Sequence, residues 1–315
     1  MNEFELIGRY FHRPALGADL GIGDDAALLS PTPGSQWAVA KDLLVSGRHF
    51  LPDADPVGLG HKALAVNLSD LAAMGARPRW ALLGLAMPEA DERWLEGFSA
   101  GFHALAERFQ VGLVGGDTTR GPLTISVTVI GEVPAGQALR RDGAQPGDDV
   151  WVSGSPGLAA VGLDVLAGRL SLPASEAHAC LERLHTPEPR VALGQALRGL
   201  AHAAIDISDG LAADLGHILE RSALAARLDL GRLPSLVVSG VSRERAWTYA
   251  LSGGDDYELC FTAPPSARGQ IQALGLGLGL ILSRLGELTP GQGMLLLDDA
   301  GNPLAGRFKG FDHFG

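Results

Sequence analysis

Six short stretches of this chain set aspartates beside or a few residues from Gly, Ser or Asn, each next to an apolar run: GIGDDAA at 21–27, KDLLVSGRHF at 41–50, NLSD at 67–70, GGDTTRG at 115–121, DISDG at 206–210 and SGGDDYEL at 252–259. DISDG is the clearest. It follows the apolar residues 203–205 and precedes 211–219, which have the spacing of an amphipathic helix. An Asp that leaves a strand for a helix start is well placed to hold a hard cation. Asp carboxylates suit Mg2+, which keeps several waters and usually bridges protein to substrate phosphates. One such stretch means little, but six in one chain point to a shared acidic site.

The 315 residues can bury a large core and fit two domains. Hydrophobic residues are 46% and charged residues 19%, a globular balance rather than a disordered one. The formal net charge is −11, and Lys41, Lys62 and Lys309 are the only lysines, so the chain lacks the basic face that nucleic acid requires. Phosphate ligands stay compatible with this charge, because a bound metal inverts the local field. Cys180 and Cys260 are far apart and form no CxxC, which points to neither a disulfide framework nor a zinc site. The opening MNEFELIGRYF is unlike a signal peptide, and no apolar run reaches the length of a membrane span. A cytoplasmic protein without membrane partners is expected. Walker A, HRD, DFG, GxSxG and HExxH motifs are all absent, so phosphate chemistry would need another scaffold.

Periodicity predicts a short helix over 4–11 with Phe4, Leu6, Ile7 and Tyr10 on its apolar side, then a strand over 37–45. A long helix is expected over 56–75, with Pro at its start and Gly near its end. It is apolar nearly all round and should be largely buried. A strand over 79–87, a helix over 91–109 and a strand over 111–114 that ends in a GGD turn follow. A strand over 123–133 comes next, then a Gly-, Pro- and Arg-rich junction over 134–146. The second half reads as a strand over 149–153, helices over 157–168, 174–184 and 189–201, and a strand over 203–207. Beyond them lie a strand over 228–233, a helix over 242–249 and a strand over 257–262. The Gly–Leu alternation at 274–282 suggests a flexible turn feeding a strand. This is an α/β (α+β) pattern with room for a ligand at the strand ends.

Asp42 lies inside a predicted strand, where Asp is disfavoured, so it faces solvent or a ligand. His49 follows it. Asn67 and Asp70 share a face of the long helix, and no Lys or Arg stands within a turn on the N-terminal side of Asp70. A carboxylate on such a helix is paired, protonated or metal-bound. Asp24 and Asp25 form a like-charge pair, either solvated or bound to a cation. The glycines of GGD would let backbone N–H groups approach a phosphate. Arg140 and Arg141 are a solvated linker or a phosphate clamp. Asp209 is a ligand or merely the N-cap of the next helix.

Taken in order, GIGDDAA, KDLLVSGRHF, HKALAVNLSDLAAMGARP, GGDTTRGP, GAQPGD, DISDGLAADLGHI, SGGDDYELCFT and the terminal GFDHF resemble the thiamine-monophosphate kinase family over essentially the whole chain. NLSDLAAMGA alone is shared in style with the wider superfamily of aminoimidazole ribonucleotide synthetase, selenophosphate synthetase and a hydrogenase-maturation protein. GGDTTRG, SGG(E/D)DYEL and the terminal G-aromatic-DHF mark the kinase branch. The resemblance implies a two-domain aminoimidazole ribonucleotide synthetase-like fold. An N-terminal ATP/metal-binding domain, 1–136, dimerises through its sheets, and a C-terminal α/β domain spans 137–315. It implies phosphorylation of thiamine monophosphate to the diphosphate, with ATP as co-substrate and several Mg2+ ions. By matching position, Asp25, Asp42, Asp70, Asp117, Asp206 and Asp209 would hold metal. Gly116, Asp117, Arg141 and Ser208 would contact ATP; His49, Asp255 and Phe311 would contact thiamine phosphate. No residue is assigned as a catalytic base.

Two positions depart from the family pattern. Ala40 and Lys41 stand where hydroxyl residues usually precede the strand aspartate, and Asp255 stands where Glu is usual. Protonated Lys cannot ligate Mg2+, so one metal is expected to be held through backbone, lost or replaced by the ammonium. The alternatives are a sister ATP-using enzyme of the superfamily, or a metal- and nucleotide-binding protein without turnover, which Lys41 keeps open.

Overall fold

The computed structural model describes residues 2–236 and 238–304. The chain divides into two compact units. One runs to Leu71 and resumes over Ala76–Gly136; the other holds Ala72–Gly75 and the chain from Gln137 onward.

In the first unit a short α1 (Glu3–Leu6) widens into a π turn over Ile7–Phe11, burying Leu6, Tyr10 and Phe11 but leaving Phe4 exposed. The remaining elements are β1 (Ser35–Val45), α2 (Pro56–Ala73), β2 (Arg77–Met87), α3 (Glu92–Phe109), β3 (Gly112–Arg120) and β4 (Thr124–Pro134). The sheet order is β1-β4-β2-β3, antiparallel except for the parallel β2/β3 pair. Trp80, Val114 and Ile130 on the sheet meet Ala15, Ala18, Ala27 and Leu29 of the segment before β1. Along β1 the alternation is strict: Ala38, Ala40, Asp42 and Leu44 share one side, while Trp37, Val39, Lys41 and Leu43 share the other, which is exposed.

The expected GGD turn is not a turn. Gly115, Gly116 and Asp117 continue β3, and a register shift opposite Ala81/Leu82 marks a bulge just before them. Gly116 has φ +151°, and a Cβ there would fall 1.9 Å from the Leu83 carbonyl oxygen. Glycine is needed for this close approach of two strands, and its presence after an apolar run imitates a turn signal.

The second unit contains β5 (Asp149–Ser153), α4 (Leu158–Leu166), α5 (Ala174–His185), α6 (Val191–Leu197), β6 (Ala203–Asp206), α7 (Leu211–Ser222), β7 (Leu224–Asp229), α8 (Arg243–Ser252), β8 (Leu259–Ala263), α9 (Arg268–Leu278), β9 (Leu282–Pro290) and β10 (Gly293–Leu297). Its sheet order is β10-β7-β9-β5-β8-β6. Ile205, Leu211, Leu215, Ile218, Leu228, Trp247 and Leu285 form its core, seating α7 and α8 on the sheet. Two expectations are corrected here. The strand expected over 228–233 lies earlier, at β7, because the Asp229 side chain accepts the Gly231 N–H at 3.0 Å and turns the chain into a 3-10 segment, Leu230–Arg232. The Gly–Leu alternation belongs mostly to the helix α9, and only its end feeds β9.

Candidate active site

In the first unit, the Asp42 N–H donates to Asn67 Oδ1 at 2.8 Å, and Asn67 Nδ2 donates to the Ala63 carbonyl at 3.0 Å. Buried Asn67 thus ties β1 to α2 at Asp42, and half-buried Asp70 follows one turn along the same helix. Asp42 and Lys41 lie on opposite sides of β1, so strand alternation directs the ammonium away from the Asp42 side. Beyond the strand, the Val45 N–H donates to His49 Nδ1 at 3.0 Å. That leaves the proton of a neutral His49 ring on Nε2.

A cavity of about 650 Å3 is lined by Asp24, Asp25, Gly116 and Asp117 together with apolar Ile7 and Phe11. The Asp25 N–H donates to Asp24 Oδ1 at 2.9 Å, which shapes the GIGDD turn. Two of the acidic stretches, far apart in sequence, therefore serve one cavity.

In the second unit the DISDG and SGGDDYEL turns extend the β6/β8 pairing and are laced together. Ile207 N–H donates to the Glu258 carbonyl at 2.8 Å, Tyr257 N–H to Ile207 at 2.8 Å and Asp255 N–H to Ser208 at 2.9 Å. Ser208 and Asp255 thereby become hydrogen-bonded neighbours, with Asp206 and Asp209 on the same turn. The two carboxylates of GGDD have different surroundings. Asp255 is half-buried, at φ +67°, and its Oδ1 accepts the Tyr257 hydroxyl at 3.0 Å. Asp256 points inward and caps α4, accepting the Gly157 N–H at 2.7 Å; burial pushes its carboxyl well above the ordinary range.

The N-cap of α7 is Gly210, which has no side chain to offer, so Asp209 is not the cap. Asp214, from within the helix, instead braces the turn before it: its Oδ2 accepts N–H groups of Ser208 at 3.0 Å, Asp209 at 3.0 Å and Gly210 at 3.1 Å. Burial, with the charges of Asp206 and Asp209 adding to it, pushes the Asp214 carboxyl up to about 7, against the amides that favour its charged form.

Arg141 is exposed before β5, where its carbonyl accepts the Ser222 hydroxyl at 2.9 Å; neighbouring Arg140 is engaged by Asp142 at 2.8 Å. Phe311 lies outside the described residues. Sequence reasoning passed over Asn67 as a partner of Asp42, and it passed over Asp214. The only local signal for Asp214 was an acidic residue in the first turn of α7.

Among the described residues no group of three or more His, Cys, Asp and Glu side chains converges as a ready-made metal cage. Mg2+ does not demand one, since it binds through one or two carboxylates together with waters and phosphates. The donors fit it: oxygen ligands line the first unit's cavity, and Asp206 and Asp209 raise the negative potential felt by Asp214.

Residues 23–133 match the family described as AIR synthase related protein, N-terminal domain, and residues 145–298 match its C-terminal domain. Thiamine-monophosphate kinase of Salmonella typhimurium is 48% identical over 319 residues, covering 99% of this chain and 98% of that protein. The crystal structure of thiamine-monophosphate kinase from Stenotrophomonas maltophilia superposes with a TM-score of 0.85 at 49% identity, covering 93% of this chain and 94% of that one. A structure of AaThiL complexed with AMPPCP and TMP superposes with a TM-score of 0.77 at 29% identity, covering 99% and 96%.

Proposed function

This chain belongs to the thiamine-monophosphate kinase family of AIR synthase related proteins, and we propose that it moves the γ-phosphoryl group of ATP onto thiamine monophosphate by direct, Mg2+-assisted in-line attack, giving thiamine diphosphate and ADP. The relatives at 48% and 49% identity carry that activity in their names, and the more distant AaThiL was solved with AMPPCP and TMP. The lacing of the two C-terminal turns carries the reading furthest. It sets Ser208, assigned to ATP, one hydrogen bond from Asp255, assigned to the acceptor. Proximity of donor and acceptor is what transfer between two phosphates needs.

A phosphate monoester is already anionic near neutral pH, so its attacking oxygen needs no strong base. The work is positioning and charge neutralisation. Gly116, Asp117, Arg141 and Ser208 hold ATP; His49, Asp255 and Phe311 hold the thiamine phosphate. Asp25, Asp42, Asp70, Asp117, Asp206 and Asp209 are the ligands for several Mg2+ ions, which when bound offset the charge of the two polyanions. Residues 1–136 form the ATP/metal-binding and dimerising domain, and 137–315 the second domain. Exposed Trp37, Val39 and Leu43 on edge strand β1 support a homodimer. A cytoplasmic location goes with this activity; among the described residues no helix is long and apolar enough to cross a membrane.

The test is ADP release with ATP, Mg2+ and thiamine monophosphate, beside free thiamine and beside EDTA. ADP and thiamine diphosphate should appear in equal amounts only with metal and the monophosphate. ATP binding without turnover would favour a binding protein, and inversion at a chiral γ-phosphate is expected for direct transfer.

A further inference from the structure

Two non-glycine residues of one turn, Asp255 at φ +67° and Tyr257 at φ +52°, hold left-handed backbone. Such conformations persist only where the surroundings over-determine them. The next residue, Glu258, is buried, and its carboxylate is gripped from two sides. Arg190, at the start of α6, meets it as a fork, Nε to Oε2 at 2.6 Å and an Nη to Oε1. Ser153 at the end of β5 donates its hydroxyl to Oε2 at 2.5 Å and accepts the Leu259 N–H at 2.9 Å. Arg183 stands 3.9 Å from Oε1. The backbone carbonyl of Glu258 accepts the Ile207 N–H, so the gripped residue also registers the DISDG turn.

A buried ion pair is a weak source of stability, because desolvation offsets its attraction; in some proteins it serves instead to fix geometry. The Arg190 side chain is only 12% exposed and that of Glu258 only 4%. We propose that the Arg190–Glu258 pair is a positioning device for phosphoryl transfer, clamping the strained turn so that Asp255 meets the thiamine phosphate. This rests on the substrate role given to Asp255 above. Neither member of the pair is among the residues assigned to substrate, so the role is one of positioning.

Arg190→Met, Arg190→Lys and Glu258→Gln in the full chain test it. Two measurements are made: KM for thiamine monophosphate and for ATP, and amide hydrogen exchange at Ile207, Asp255 and Tyr257. Arg190→Met should raise the KM for thiamine monophosphate about tenfold, while the KM for ATP stays within about twofold because Asp214 still holds the amides of Ser208, Asp209 and Gly210. Exchange at Asp255 and Tyr257 should quicken. Arg190→Lys, which keeps the charge and loses the fork, should fall between wild type and Met. An unchanged KM for the monophosphate, equal losses in both KM values, or turn amides as protected as in wild type would each overturn the proposal, whatever the thermal stability does. If Arg190→Met does not fold, the isosteric Glu258→Gln must show the same split on a smaller scale, and no split overturns the proposal. A wild type idle with thiamine monophosphate would instead sink the functional reading, and with it the role given to the pair. Exchange rates would then still decide whether Arg190 holds the turn.

Discussion

When Ser208, Asp209 and Gly210 all donate to Asp214 Oδ2, one carboxylate fixes the backbone of the whole DISDG turn. Its carboxyl is raised from 3.8 to about 7, so between those values the folded chain keeps a proton that the unfolded chain has released. The stability this group contributes is whole below 3.8 and is lost as pH rises through about 7. In EDTA, Asp214→Asn, which cannot ionise but keeps an acceptor oxygen, should therefore lose less stability than wild type between about pH 5 and about pH 8. Urea midpoints read the difference, and midpoints that move in parallel would mean Asp214 does not titrate there. His49 makes a second prediction at this scale. Its Nδ1 is occupied by the Val45 N–H, which aims the ring's remaining proton elsewhere. Removing one hydrogen bond to a charged phosphate costs roughly 1.5–3 kcal/mol. His49→Ala should accordingly lower kcat/KM for thiamine monophosphate at least about tenfold, with the KM for ATP little changed. An unchanged kcat/KM for the monophosphate removes His49 from the substrate site.

The elements differ in how openly the sequence announces them. Helix α2 is plain, because Pro56 starts it, Gly75 follows its end and its leucines recur at helical spacing. Helix α9 is hidden, because Leu alternates with Gly and imitates a period of two. Its burial follows another face: Ile271 and Gly275 are inside while Leu276 is 86% exposed. The chain leaves α9 through Gly279 at φ +62°, with the Leu280 N–H returning to the Gly275 carbonyl at 2.9 Å. Gly277 is the penultimate residue of α9, with nothing within 4 Å of an added Cβ. Gly277→Ala should then stabilise the protein by about 0.5–1 kcal/mol, read as a raised urea midpoint. No gain would mean that the last turn of α9 contributes nothing to the midpoint. The site follows the same division. The acidic motifs are visible because Asp beside Gly is a local pattern. Asn67, Asp214 and Arg190 are not, because a side chain that holds a backbone amide or a distant carboxylate leaves no periodic trace in the sequence.

For the whole molecule, the open side of β1 decides whether one chain is enough. Val39 is 61% exposed and Leu43 50%, while Trp37 leans edge-on against Trp80 with ring centroids 6.4 Å apart. An edge strand that shows apolar side chains invites pairing, and a Lys among them discourages unspecific pairing. Lys41 stands between Val39 and Leu43 on that side. A second copy related by a two-fold axis would cover the patch in a closed assembly, whereas unlike patches would propagate. Each copy carries a formal charge of −11, so association has to overcome repulsion that salt screens. Sedimentation should therefore give about twice the 32.8 kDa chain mass, with dimer favoured as salt rises from low ionic strength. Val39→Glu, which adds charge at the most exposed apolar position of the strand, should give the monomer at micromolar concentration. The substitution lies on the side of β1 away from Asp42, so the fold and the Asp42–Asn67 tie should survive it. A Val39→Glu protein that stays dimeric would place the interface elsewhere, and a wild type that sediments as one chain at every salt concentration would leave the β1 face without a partner copy.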